Sequence, residues 1–185
     1  MTPATSSPHR FLSSKARGVR AERWVDWYMG GGFVIAPVGD EGQRLGIDRI
    51  WLDRIHGGRW SVEYKLDERA GETGNYFLET ASSVEEKKPG WALSSVSQFI
   101  LFISPTVSGG VLLAMVEVRA LREQVNRWRM VHPTGVAKST NQGCEWHSEG
   151  LLVPMAEVHE QSTWEHRVTF PCPYPFPIPI REEID

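Results

Sequence analysis

Apolar and polar positions divide the chain into segments of different period. From Ser14 onward, Gly18, Val19, Glu22, Val25 and Met29 share one face at three- and four-residue spacing, and Gly30-Gly31-Gly32 ends the run. That spacing predicts a helix capped by Ser13 or Ser14. Phe33-Val34-Ile35-Ala36-Pro37 reads as a short buried strand. Two segments rich in β-branched and aromatic residues then flank Gly57-Gly58, a two-residue hairpin signal. With those glycines as the turn, Asp48 faces Asp67, Ile50 faces Lys65 and Leu52 faces Glu63. Side-chain alternation then sends Asp48, Glu63 and Lys65 to one face, with Asp48 and Lys65 as diagonal neighbours. A loop of odd length would send Asp48 to the other face.

Further along, Arg69 to Gly74 reads as a polar loop, Asn75 to Thr80 as a strand, and Ser82 to Gly90 as a charged loop. Gln98 to Ser104 and Gly110 to Val116 predict a pair of apolar strands. Glu117 to Trp128 predicts a helix, with Val118, Leu121, Val125 and Trp128 in phase. Residues 132–150 form a polar stretch, and Leu151 begins a further short element. Prolines alternate from Pro171 to Pro179, which excludes a helix or a central strand there. The interleaved Tyr174, Phe176, Ile178 and Ile180 favour packing, across the domain or a dimer. The expected organisation is a mobile tail over 1–13, one domain over 14–165, and a proline-rich strap over 166–185. Its class is α/β, with a central mixed sheet flanked by helices.

At 185 residues the chain is long enough to bury a core, and 41% hydrophobic with 23% charged residues is ordinary for a globular protein. A net charge of −3 and a pI near 6.1 argue against indiscriminate coating of DNA, though an enzyme needs only a local basic rim. Cys144 and Cys172 make no disulfide framework, which suits a reducing cytoplasm. No apolar run is long enough for a membrane span, and no motif points to an organic cofactor. Cys144-x-x-His147, with His159, His166 and Cys172 downstream, opens a zinc-like pattern whose second half lacks ligand spacing.

The chemistry lies in the hairpin. Two carboxylates and a lysine one turn apart can hold a divalent cation and a positioned water; the plainer alternative is a solvated strand face with a Glu-Lys pair. The order of helix, strand, Asp-bearing strand, Glu-x-Lys strand and further strand resembles the PD-(D/E)XK, or restriction-endonuclease-like, nucleases. The matching motifs are Gly46-Ile47-Asp48, with Ile47 where many members have proline, and Val62-Glu63-Tyr64-Lys65. Arg17 to Arg23 is similar to the first helix of Holliday-junction resolvases in that superfamily. Thr73 to Glu79 and Lys88-Pro89-Gly90-Trp91 are similar to small nucleases of phages and mobile elements, some of which carry an aspartate near Ser97, absent here.

The resemblance implies a restriction-endonuclease-like core and Mg²⁺-dependent cleavage of DNA, with Mn²⁺ able to substitute. Asp48 and Glu63 would be direct metal ligands, and Lys65 would position the attacking water. The Tyr64 carbonyl and Glu22 would complete the metal shell, with Glu79 a further supporting residue. A resolvase-like, structure-selective enzyme would act as a homodimer. Lys15, Arg17, Arg20, Arg23, Lys87 and Lys88 are candidates for phosphate contact, and Trp91 for stacking on an unpaired base. The rival readings are an idle nucleic-acid-binding module with the same fold, or an interaction protein acting through its proline-rich tail.

Overall fold

Strand β6 (Phe99–Pro105) is buried and apolar from Ile100 to Ile103, so neither of its faces meets water. It lies in the middle of a six-stranded sheet, between β3 (Arg59–Leu66) and β7 (Val111–Glu117). Beyond β3 come β2 (Arg49–Asp53) and the edge strand β1 (Phe33–Pro37); beyond β7 lies the other edge, β10 (Ser162–Val168). Strands β3 and β6 pair in parallel and the other neighbours antiparallel. This computed structural model describes residues 8–141 and 144–168, with side chains over 16–138 and 145–168.

Alternation along β6 and β7 feeds two cores. Leu101, Ile103, Leu113 and Met115 pack with Trp51, Val62 and Tyr64 against Ala21, Trp24 and Val25 of α1 (Pro8–Met29). On the other face, Ile100, Phe102, Ala114 and Val116 pack against α5 (Val118–Trp128) and a second, four-stranded antiparallel sheet. That sheet contains β4 (Asn75–Ser83), β5 (Lys88–Pro89), β8 (Thr134–Asn141) and β9 (Cys144–Pro154), in the order β5-β4-β9-β8. Parallel neighbours need a long crossover. The one from β3 to β6 carries β4, β5 and the short helices α3 (Ala70–Thr73) and α4 (Trp91–Ser94). The Tyr76 and Phe102 rings meet at 4.5 Å, and burial of one such side chain contributes about 2–3 kcal/mol. The class is the expected one: α/β, with a central mixed sheet flanked by helices.

Several local expectations are corrected. Helix α1 begins at Pro8, inside the segment expected to be a tail, because proline suits a first helical turn where no amide partner is needed. Its buried stripe is Ala21, Trp24 and Val25, with Tyr28 and Met29 packed alongside, whereas Val19 is exposed; the larger rings decide the face. Strand β1 is an edge with alternating exposure rather than a buried strand, which its Pro37 tolerates. The polar stretch from 132 to 150 forms most of the β8–β9 ribbon, and residues 166–168 belong to β10 rather than to a strap. Helices α2 (Asp40–Arg44), α4 and α6 (Met155–His159) have no counterpart in the expected elements, and α3 occupies the expected polar loop. The proline-rich segment beyond residue 168, with Cys172, and the tail before residue 8 lie outside the described residues.

The hairpin register also differs. Leu52 pairs with Arg59 and Arg49 with Val62, a slip of four residues from the Gly57-Gly58 turn. Asp53 is the cause. Its Oδ1 accepts the amides of Ile55 (2.7 Å) and His56 (3.0 Å), and its own amide donates to the Gly58 carbonyl at 2.8 Å. The loop is therefore Arg54 to Gly57, and Gly57 takes the left-handed conformation (φ +73°). The loop keeps an even length.

A polar chain crosses the second core. The Ser104 hydroxyl donates to the Tyr76 phenol (3.0 Å), which lies 2.9 Å from His159 Nε2, while His159 Nδ1 lies 3.2 Å from Glu165. A neutral imidazole accepting from Tyr76 and donating to Glu165 satisfies every member. Burial lowers the His159 pKa. The folded state therefore binds fewer protons than the unfolded one, so this stability is full above the unfolded value, about 6.5, and is lost as pH falls through it. Urea unfolding between about pH 7.5 and 5 should show a shallower loss in His159→Gln than in the parent. Equal slopes would remove His159 as a cause.

Candidate active site

Glu63 stands on β3 opposite Ile100, on the sheet face that carries Ile100 and Phe102, where an apolar residue would be cheapest. Its side chain is 6% exposed, and Oε1 pairs with Lys65 Nζ at 2.5 Å. Oε2 is buried and has no hydrogen-bond partner. Leaving such an oxygen without a donor costs on the order of 1–3 kcal/mol or more. The alternation of β3 turns Val62 and Tyr64 towards α1 and leaves Glu63 and Lys65 on the opposite face. Lys65 Nζ lies 5.0 Å from the Trp91 ring centroid, a cation–π contact. Burial raises the pKa of Glu79 on β4, and the charge of Glu63 acts the same way, against the pull of Lys65 and the Trp91 amide.

Asp48 brackets Glu63 from the position just before β2. Its amide donates to the Val62 carbonyl (3.0 Å), and its Oδ2 accepts the Tyr64 amide at 2.7 Å. The approach to Asp48 is tight. A Cβ on Gly46 (φ +77°) would lie 2.9 Å from Glu63 Oε2 and 3.0 Å from Ser95 Cα. The Ser95 hydroxyl donates to the Gly46 carbonyl (3.1 Å) and meets the Ser97 hydroxyl at 2.8 Å; Arg122 of α5 donates to the Ser95 carbonyl. Glycine before Asp48 is thus demanded by both conformation and space.

Arg49, 7% exposed, joins this strand to α1. Nε donates to both Asp26 oxygens (3.1 and 2.8 Å), Nη2 to Glu22 (3.1 Å), and Nη1 to the Asp48 carbonyl (2.9 Å). Burial opposes its charge, but Asp26 and Glu22 outweigh that and raise its pKa. The Tyr64 phenol donates to Asp26 (3.0 Å) and accepts from Trp51 Nε1 (2.9 Å), so Tyr64 offers the site only its main chain. Burial raises the Glu22 pKa, the nearby charge of Asp48 adds to this, and Arg49 opposes it. Sequence reasoning missed Arg49 and Asp26, and no local signal marked them, since an arginine in a strand suggests solvent.

The predicted residues thus fall into two linked groups, Glu22 and Asp48 bridged by Arg49, and Glu63–Lys65–Glu79, joined where Asp48 meets the Tyr64 amide. Among the described residues, no three His, Cys, Asp or Glu side chains converge closely enough to hold a metal ion. The donor set is nevertheless all oxygen, and the unpartnered Glu63 Oε2 together with the mutually repelling acids suits a hard divalent cation. Asp48, Glu63 and the Tyr64 main chain fit that role; Glu22 is engaged by Arg49.

The candidate phosphate contacts are scattered. Arg17 pairs with Glu68 at 2.7 Å, Arg20 and Arg23 are exposed on α1, and Lys87 and Lys88 are exposed at the β4–β5 turn. The Lys15 side chain lies outside the described ones. Trp91, half-buried, opens α4. A cleft of about 410 Å³ is lined by Lys65, Gly18, Phe77, Trp91 and Arg69. The zinc-like pattern is not assembled by its described members: His147 pairs with Glu85 (2.5 Å), His159 with Tyr76 and Glu165, and His166 with Tyr28 (2.5 Å). No described helix is long and apolar enough to cross a membrane.

No protein-family model matches the chain, and no curated protein matches it. Among solved structures, the chain is similar to a bacterial homing endonuclease, at 18% identity and a TM-score of 0.42, over 60% of this chain and 73% of that one.

Proposed function

We propose that the protein is a divalent-metal-dependent DNA endonuclease of PD-(D/E)XK type, with Mg²⁺ or Mn²⁺ held by Asp48, Glu63 and the Tyr64 main chain. The observation that carries this reading is Glu63: a carboxylate on a buried sheet face, with one oxygen on Lys65 and the other without a donor. A stability-driven sequence would place an apolar residue there. The bound metal would supply charge neutralisation at the phosphodiester and a more acidic water.

The chain's own residues do the rest. Glu63 aims Lys65, so that its Nζ stands where a negatively charged nucleophile and phosphate would meet. Asp48 is held by the Tyr64 amide and cannot swing away from β3. The Trp91 ring faces Lys65 Nζ at 5.0 Å and helps to hold it in place. Glu22 acts through Arg49, which grips the Asp48 carbonyl. Branched DNA is the favoured substrate, cut by a symmetric pair of protomers. Incubating the protein with junction, flap, single-stranded and duplex DNA, with Mg²⁺, Mn²⁺ or EDTA, tests the proposal. Metal-dependent, EDTA-sensitive cutting is expected; DNA binding without cutting would favour an idle module.

A further inference from the structure

Gly18 sits in the interior of α1, where glycine costs about 1 kcal/mol relative to alanine. Neither backbone nor packing asks for it: its φ is unremarkable, and a Cβ built there has nothing within 4 Å. Its surroundings offer another reason. Gly18 forms one wall of the cleft lined by Lys65, whose other walls include the Phe77 and Trp91 rings and Arg69. The position lies one helical turn before Glu22, on the same side of α1. A side chain larger than a methyl group at residue 18 would take up space in the cleft that Lys65 also lines.

The two rings have different settings. Trp91 is already fixed, by Lys65 on one side and by Phe102 edge-on at 6.0 Å, yet it stays partly exposed. Phe77 is also partly exposed, although its strand neighbours Tyr76 and Leu78 are fully buried. Two half-exposed aromatic rings in a cleft with a lysine and an arginine match the chemistry of a nucleotide, which has a flat face and an anionic side. The acids of the cleft are otherwise occupied: Glu68 by Arg17, and Asp67 by the amides of Arg69, Ala70 and Phe77.

We propose that this cleft seats one unstacked nucleotide of the substrate strand, its base against Trp91, and that Gly18 is left bare to admit it. The site therefore selects DNA with an unpaired nucleotide at the cut, such as a flap, bulge or branch point. This rests on the endonuclease reading and names its substrate class. Base–aromatic stacking is worth about 1–3 kcal/mol, so it shifts preference by roughly tenfold or more.

The test uses the full chain in EDTA and an oligonucleotide duplex carrying a single unpaired 2-aminopurine, whose fluorescence falls when it stacks on an indole. Binding should quench that fluorescence. Gly18→Leu should weaken binding of this probe by about tenfold or more and remove the quench, while the heat of Mn²⁺ binding stays unchanged. Gly18→Ala, a methyl group in open space, should raise Tm and keep the quench. Gly18→Leu that binds and quenches like the parent overturns the proposal, as does a parent protein that binds the probe without quenching. A parent that binds neither DNA nor Mn²⁺ overturns the endonuclease reading as well. One that cuts fully paired duplex as well as the unpaired substrate, with no quench, overturns the inference alone.

Discussion

Replacing Glu63 with glutamine is expected to reduce metal-dependent DNA cleavage by roughly a thousandfold or more while the fold survives. Glutamine keeps the volume and loses the charge. The orphaned Oε2 then no longer belongs to a carboxylate that needs a donor, and Lys65 loses the partner that aims it. Glu63→Ala and Lys65→Ala should be equally inactive. The stability signature separates chemistry from misfolding. Without metal, Glu63→Gln should still unfold cooperatively near the parent Tm, because loss of the unpartnered carboxylate oxygen offsets loss of the ion pair to a Lys65 that is 27% exposed. With millimolar Mn²⁺ the parent should gain stability and the variant should not, since a ligand stabilises only a state that binds it. Single-turnover cleavage and thermal unfolding, each with and without metal, give both readouts. Cleavage by Glu63→Gln at the parent rate removes Glu63 from the mechanism.

The largest expected stability effect is at Arg49. Arg49→Met should cost about 2–4 kcal/mol, measured by urea unfolding. The guanidinium is nearly buried and makes bonds to Asp26, Glu22 and the Asp48 carbonyl; methionine fills much of the stem but leaves two acids facing each other. Those acids are close to 30% exposed, so water relieves part of the cost and the figure lies below that of a fully enclosed pair. Adding Glu22→Gln to Arg49→Met should recover part of the loss, because one unpaired charge is removed with its repulsion of Asp48. A loss under about 1 kcal/mol for Arg49→Met would mean that the helix and β2 are not joined through this side chain.

How far the sequence carried the structure depends on which physical signal each element uses. Strands β6 and β7 and helix α5 were legible because burial imposes period: apolar runs, then Val118, Leu121, Val125 and Trp128 in phase, all buried. The hairpin was legible in its parity and wrong in its register. Gly57-Gly58 is a strong local cue, but the Asp53 carboxylate gathers two amides and takes over the turn. The β8–β9 ribbon was illegible because residues 132–150 are polar and glycine-containing, with no alternation to mark a face. The Asp48, Glu63 and Lys65 motif could be read from spacing. Arg49 could not, since an arginine in a strand suggests solvent, and its partners Glu22 and Asp26 lie on another element far earlier in the chain.

The crossover from β3 to β6 has a consequence for how the molecule can vary. Every residue assigned to the candidate site precedes β6, whereas β6 to β10 supply packing partners, strand pairing to β3 and β4, and side-chain tethers such as Arg122 to Ser95 and Ser104 to Tyr76. The polypeptide is thus divided lengthwise into a reactive front portion and a supporting rear portion. Substitutions in the rear should be felt as changes in how much folded protein survives, with turnover per folded molecule left alone. The exposed Thr106–Gly109 turn, at the start of that rear portion, is accordingly the place where the backbone could be cut open and re-joined elsewhere without touching the reactive residues.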